Sequence, residues 1–497
     1  MRDLAKFVMF LFCFGFLFFT SQSYKNNVFS VRFLDEEYNL AIGKYLNRGE
    51  ILYDDIVTNH QPVTHLLSGL LQKKQNPDTT SKLIEGHRLA IINWSVIWSI
   101  ILVFYFGLVG VIFVVIYELT RSHFYGQLFL AETFVVYPLV FLIGLSLFRK
   151  IPLKAFELFA AGVLLGFLTL TLGPMWPAIL FLTCLLVFQQ LKGVKDVQGT
   201  VSFKKSLILG FLGAILFFLL VLPKVNIPGY FDYYIFGNLE NMVPHTREYW
   251  LASLPQSFFS PLLSFKGENP SDNLLLIRTL SVLLILNLMY FTFKKKFQLV
   301  AAIFILLGLL NIRFIQPGAG HANGFHLLPW YAALIFIASA LFVKQLKTKS
   351  FFLFKLLGIG VLVVAFFFSF KYANHNLFVE KNAKKDYETF FSTHTKIGES
   401  LKSLKKDEDT LFIFPDAWLV YWQSDAKHLP KLFGYYTWMA GIPKLRGKVN
   451  EAFANSPPTF YYCEGCQYND LKVYLEKYAE VKGYEGKQNL FILKSLQ

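Results

Sequence analysis

Apolar residues along this chain gather in long unbroken blocks and do not alternate with polar ones. Eleven blocks are visible, at roughly 5–22, 89–106, 108–120, 128–148, 153–171, 174–191, 206–223, 273–293, 297–313, 326–345 and 351–371. Most run to about 18 to 22 residues, the length that crosses about 30 Å of hydrocarbon at about 1.5 Å per helical residue. Lipid offers no partner to an open backbone N–H or C=O, so such blocks must be helices. The stretch 89–120 reads either as one long helix or as two short ones turning near Gly107 and Gly110. The first block follows Arg2 and Lys6 and has the look of a signal peptide's apolar region, but a bundle this apolar favours its retention as a span.

Between the blocks the pattern changes. DEEYNLAIGKYLNRG, with Leu40, Ile42 and Leu46 at helical spacing and a turn at Arg48-Gly49, predicts a helix lying along the membrane surface. The segment from Val225 to Phe259 is rich in Tyr, Phe and Trp, side chains suited to the headgroup interface. After Lys371 hydropathy falls, and TLFIF, PTFYY and QNLFIL read as strands around a helical LKVYLEKYAEV. The expected architecture is therefore an all-α polytopic membrane bundle of about eleven spans over residues 1–371. A small α/β domain follows over 372–497.

Composition agrees: of 497 residues 54% are hydrophobic and 55 are Phe, too apolar for a soluble chain. The net charge of +15 suggests nucleic acid until it is located. Arg2, Lys6, Arg149, Lys150, Lys154, Lys192, Lys195, Lys204, Lys205, Lys294, Lys295, Lys296, Lys344, Lys347 and Lys349 all lie in short loops or at block ends, opposed there only by Asp3 and Asp196. That is the positive-inside pattern of a membrane protein, and it argues against a nucleic-acid partner. Two helices within 89–120 place every basic loop, and the N-terminus, in the cytoplasm. The loops 23–88, 224–272 and 314–325 and the C-terminal domain then face outward. Cys463 and Cys466 form a CxxC in that outer domain, read as a disulfide, while Cys13 and Cys184 sit in spans.

Chemistry is expected on the outer side, where the long loops lie. Asp35, Glu36 and Glu37 cluster shortly after the first block, and neighbouring acids raise one another's pKa, as a general base requires. Asp54, Asp55, His60 and His65 follow a glycine turn. Glu132 stands at the head of a span, where an ionisable group usually faces protein or water. RFIQPGAGHANGFHLLP supplies Arg313, His321 and His326, donors suited to an anionic phosphate. Acids and histidines are plentiful but show no tight metal spacing, so a divalent metal is left open.

The order of these features resembles the GT-C membrane glycosyltransferases, in the branch of the protein O-mannosyltransferases and the lipid A aminoarabinose transferases. The resemblance runs the length of the chain: the acidic pair Asp35-Glu36, Gly49 to Asp55 as G-x-x-x-Y-x-D, His60-Gln61-Pro62, Glu132, a His-bearing turn before HLLPWYAAL, and an α/β appendage with PDAWLVYWQS and EAFANSPPTFYY. It departs where His60 and Gln61 stand in place of Lys and Pro. The resemblance implies a sugar donor carried on polyisoprenyl phosphate and an extracytoplasmic glycan, lipid or protein hydroxyl as acceptor, with inversion at the anomeric carbon. By the same resemblance Asp35 is the base and Glu36 its supporting neighbour, while His60, Glu132, Arg313, His321 and His326 bind substrate or phosphate. A lipid or solute transporter is the alternative for so many spans, and a membrane scaffold a third reading.

Overall fold

The computed structural model describes residues 2–149, 153–196, 203–241, 272–311, 321–348, 352–414, 417–429, 431, 443–463, 470–481 and 489–496. Each of the eleven apolar blocks is helical: α1 (Arg2–Asn26), α4 (Thr80–Phe106), α5 (Leu108–Thr120), α6 (Ala131–Ile143, extended by a π-helical turn Gly144–Phe148), α7 (Ala155–Thr171), α8 (Trp176–Asp196), α9 (Phe203–Val221), α10 (Asp272–Phe293), α11 (Phe297–Leu310), α12 (Leu328–Leu346) and α13 (Phe352–Asn376). Among the described residues eight helical segments are long and apolar enough to cross a membrane. The other three, α5, α7 and α11, have 13, 17 and 14 residues. At about 1.5 Å per residue α5 is about 20 Å long, short of the hydrocarbon thickness, and it need not match it: all of Gly110–Thr120 is buried in protein.

The break between α4 and α5 is a reversal. Gly107 has φ +57°, open to glycine at no steric cost, and a Cβ on Gly110 would stand 2.5 Å from the carbonyl oxygen of Leu102. In a straight helix those residues would be about 12 Å apart, so α5 folds back on α4, the two-helix alternative of the sequence. Two compact units result. One comprises Met1–Asn27, Leu89–Leu220 and Thr246–Glu380; the other comprises Val28–Arg88, Val221–His245 and Lys381–Gln497.

In the first unit α12 is the axis, with 17 of its 19 residues buried, and α5, α6 and α10 pack on it. The outer helices leave large side chains uncovered, among them Phe14 and Phe18 on α1, Phe211 on α9, and Phe352 and Phe367 on α13. Lipid is the solvent that such a surface suits. Inside, polar side chains are gathered around one ion pair. Arg121, fully buried, lies with Nε 3.0 Å from Glu118, donates from Nη1 to the Gly126 carbonyl at 2.5 Å, and sits 4.2 Å above the ring of Tyr24. Glu118 also accepts from Tyr137 and, at 3.3 Å, from Ser95, and its backbone carbonyl accepts from Tyr24 at 2.7 Å.

The second unit joins the first outer loop to the C-terminal segment. Its sheet contains β1 (Thr410–Phe414), β2 (Lys427–His428), β3 (Phe460–Cys463), β4 (Tyr478–Glu480) and β5 (Leu490–Leu493), in the order β2-β1-β3-β5-β4. β1 runs parallel to β2 and β3, whereas β5 is antiparallel to β3 and β4. The three strands expected from sequence are present. LKVYLEKYAEV is not one helix, however: a 3-10 helix over Asp470–Lys477 ends where Tyr478–Glu480 pairs with β5. Backbone pairing there outweighs helical periodicity. Cys463 is disulfide-bonded, as read, and Cys466 lies outside the described residues.

The predicted surface helix is α2 (Leu34–Asn47), and ten of its fourteen residues are buried. It packs against α3 (Pro62–Gln75) and α16 (Trp418–Ser424), here following α14 (Ala383–Phe390) and α15 (Ser392–Leu404). Gly43 permits this, because a Cβ there would lie 2.8 Å from the Gly69 backbone nitrogen. Gln72 ties the layers together, donating to the Leu40 carbonyl and accepting from Trp422, both at 2.8 Å.

The Arg121–Glu118 pair generates the first prediction. Truncating either partner, Arg121→Leu or Glu118→Leu, strands a buried charge and destabilises the detergent-solubilised protein by about 3–5 kcal/mol. The double substitution recovers much of that loss, read as melting temperature with intact protein on size exclusion.

Candidate functional site

Three consecutive acids open α2, and packing gives each a different environment. Glu36 and Glu37 are each 1% exposed, whereas Asp35 is half-buried. Glu36 is held side-on by Arg88, whose Nε lies 3.1 and 3.2 Å from its two oxygens and whose Nη2 also donates to it. The same guanidinium donates to the carbonyls of Val28 at 2.5 Å and Val31 at 2.9 Å and lies 5.7 Å from the ring of Phe391. Glu37 accepts from Arg32 at 2.5 and 3.2 Å; burial pushes its carboxyl above the usual range, and the Arg32 guanidinium pulls it back in part. The helix start is therefore pinned by two arginines, with Asp35 on its more open side.

Asp35 is felt by Tyr38, one turn on, whose hydroxyl is pushed above its ordinary range by burial and further by the Asp35 charge. The Tyr38 ring meets His60 edge-on at 5.4 Å and His65 at 5.6 Å, and lies 4.9 Å from Trp418. His60 and His65 stack at 6.1 Å with 19° between the rings. His60 is half-buried, but His65 has no exposed surface, and its Nδ1 has no hydrogen-bond partner among the described residues. Burial first, and the His60 ring next, hold His65 well below the ordinary histidine pKa, so it is neutral.

The G-x-x-x-Y-x-D stretch builds the turn that delivers His60. Gly49 has φ +100° and Tyr53 φ +65°. The Asp55 carboxylate accepts from the Ile51 N–H at 2.9 Å, closing the turn, and the Tyr53 hydroxyl donates to the His60 carbonyl at 2.6 Å. Gly229 must be small, since a Cβ there would lie 2.0 Å from the Tyr53 carbonyl oxygen. Tyr230 packs on Tyr53 at 5.2 Å and donates to Gln61 at 3.1 Å, its phenol pushed up to about 12 by burial. Below the turn, Arg48, Glu50, Asp54, Lys405, His428 and Lys431 line much of a cleft of about 520 Å³, in which Glu50 and His428 pair at 2.7 Å.

In the helical unit Glu132 lies in the first turn of α6, 4% exposed, and its Oε1 is 2.9 Å from Nδ1 of His326. Two residues singled out 194 positions apart are thus in contact. His326 belongs to a 3-10 helix over His321–Leu327 that leads into α12, and its ring lies 3.8 Å from that of Phe325. Arg313 and the His321 side chain lie outside the described residues. Among the described residues no three His, Cys, Asp or Glu side chains gather as a metal site.

Sequence reasoning missed Arg88, Glu118 and Arg121. The signal was present: an Arg at the head of a span, and a Glu and Arg three apart closing an otherwise apolar helix, each costly unless paired.

Neutral His65 makes the stability of its unit acid-sensitive. Unfolded, the ring takes a proton near pH 6.5, which the buried ring resists, so stability is unaffected above that pH and falls as pH drops below it. The slope for one such proton is about 1.4 kcal/mol per pH unit. His65→Gln is expected to flatten the decline of melting temperature between neutral pH and pH 5 relative to the parent; parallel curves would refute the assignment.

No family model and no curated protein matches the sequence. Among solved structures, the chain is similar to ArnT from Cupriavidus metallidurans in the apo state, with a TM-score of 0.47 and 10% identity over 93% of both chains. It is also similar to the oligosaccharyltransferase of Archaeoglobus fulgidus tethered to an acceptor peptide. There the TM-score is 0.45 and the identity 10%, over 96% of this chain and 74% of that one.

Proposed function

We propose that the protein is a membrane glycosyltransferase that moves a sugar from a polyisoprenyl-phosphate donor to an extracytoplasmic hydroxyl, on a glycan, a lipid or a protein, with inversion. The observation that carries this reading is the sorting of the acids on α2: Glu36 and Glu37 are buried against Arg88 and Arg32, and Asp35 is the one of the three left half-exposed. An alcohol is a poor nucleophile until a base takes its proton. Asp35 removes that proton as the acceptor oxygen bonds to the anomeric carbon. The bond from that carbon to the phosphate oxygen breaks, and its electron pair leaves with the lipid phosphate. A single displacement inverts the anomeric centre.

The role of Glu36 in this reading is support: it fixes the first turn of α2 through Arg88 and so fixes the direction of Asp35. His60, delivered by the Tyr53 turn and braced by neutral His65, is assigned to the donor phosphate. Within the helical unit His326 is assigned to substrate binding, with Glu132 fixing its ring through Nδ1. Arg313 and His321 are assigned to the phosphate on chemistry alone, since an anion that gains charge in the transition state calls for cationic donors.

Asp35→Asn is expected to lower kcat for transfer from a polyisoprenyl-phosphate sugar by about 100-fold or more with little change in KM, the mark of a lost base. Full transfer by that variant in proteoliposomes would remove Asp35 from the chemistry. Substrate crossing the bilayer with no new glycosidic bond would replace the transferase by a transporter. The proposed orientation, with lysine-bearing loops in the cytoplasm and the C-terminal domain outside, is checked by impermeant labelling of single cysteines. A cysteine at Lys295 is expected to be protected in intact cells and one at Lys405 to react.

A further inference from the structure

Helices α7, α8 and α9 enclose a groove of about 350 Å³ that the transfer chemistry does not use. Its floor is made of small residues. A Cβ on Gly162 would meet the Gly210 carbonyl oxygen at 1.9 Å and one on Gly213 the Phe159 carbonyl oxygen at 2.2 Å, so α7 and α9 touch backbone to backbone. With α8 this pair borders a space lined mostly by aliphatic carbon, including Leu158, Leu165 and Leu186. From Leu158 to Thr169 the groove follows α7 for about 16 Å.

Its polar lining is divided in a telling way. Thr169 and Thr183 spend their hydroxyls on carbonyls of their own helices, each at 2.8 Å. Gln190 and Ser206, each 3% exposed, do not: both amide atoms of Gln190 and the hydroxyl of Ser206 have no hydrogen-bond partner among the described residues. A buried amide and a buried hydroxyl left open together are costly and are expected to find a ligand. Both stand toward the basic end of the groove, where Lys204 and Lys205 are exposed in the first turn of α9 and Lys154 is exposed at the start of α7. An apolar slot in membrane-crossing helices, closed at one end by open donors and acceptors and ringed by lysines, matches one kind of occupant.

We propose that this groove holds one acyl chain of an anionic phospholipid drawn from the lysine-bearing leaflet. The ester and phosphate oxygens are met by Gln190, Ser206 and Lys204, and the chain lies along α7 and α9. Phosphatidylglycerol satisfies this chemistry; phosphatidylcholine offers the same ester and phosphate oxygens, but its quaternary ammonium cancels the charge of the head and meets the lysines with like charge.

The test is photo-cross-linking of the full chain in phosphatidylcholine nanodiscs containing a minor fraction of phosphatidylglycerol with a diazirine in its acyl chain. Adducts are mapped by peptide mass spectrometry. Enrichment by about threefold or more is expected in peptides covering 158–169 and 206–218 over peptides from the exposed face of α13, a face that free bilayer lipid labels at random. A phosphatidylcholine probe is expected to lack that enrichment. Thr183→Phe, which fills the groove, and Gln190→Leu with Ser206→Ala, which removes the open polar groups, are each expected to abolish it while labelling of α13 is unchanged. Equal labelling of the groove and of α13 in the unsubstituted protein would overturn the proposal without recourse to any variant. Equal enrichment by the two probes, or full enrichment in a monodisperse Thr183→Phe protein, would overturn it as well.

Discussion

A charge taken out of water must be paired, and that constraint governs this molecule from the membrane bundle to the candidate base. Arg121 with Glu118, Arg88 with Glu36 and Arg32 with Glu37 are all solutions to it, and Glu132 with His326 meets the same demand when the ring is protonated. Each pair also fixes geometry. Arg88 uses its remaining donors on the carbonyls of Val28 and Val31, so the chain leading into α2 is tied to the same guanidinium that holds Glu36. Burial separates the three acids at the head of α2 as well: Glu36 and Glu37 are each 1% exposed, and Asp35 is half-buried.

The turn before α3 makes a related point about motifs. Gly49, Tyr53 and Asp55 make up the G-x-x-x-Y-x-D stretch singled out in the sequence, and their contacts are architectural. A positive φ at Gly49 and at Tyr53, a carboxylate closing the turn on Ile51, and a phenol on the His60 carbonyl together aim one histidine. Gly229 serves that turn by staying out of its way. A motif can therefore mark a position that carries chemistry by specifying the scaffold just beside it.

The helical unit answers to two solvents. Its axis, α12, is packed on all sides, whereas α1, α9 and α13 turn Phe and Leu outward, where only hydrocarbon can accept them. Between these extremes lies the groove of α7, α8 and α9, where glycines bring α7 and α9 together backbone to backbone. The open polar groups of Gln190 and Ser206 sit toward the basic end of that groove.

The sequence by itself determined the helical blocks, because hydrocarbon permits no other backbone, and it offered Gly107 and Gly110 as the place for a turn, because glycine tolerates the backbone a reversal needs. It also determined three strands of the small sheet, whose apolar runs are short and bounded by turns. It marked Glu132 and His326 as chemically unusual from their position alone. Only tertiary structure decided that these two touch across 194 residues, that α2 is buried and not laid on a surface, and that YAE joins the sheet where a helix was expected. Periodicity reports which face of an element is apolar; it does not report what arrives to cover the other face. For the same reason Asp35, Glu36 and Glu37 are equivalent when read along the chain and become distinct only in the fold, which buries Glu36 and Glu37 and leaves Asp35 half-buried.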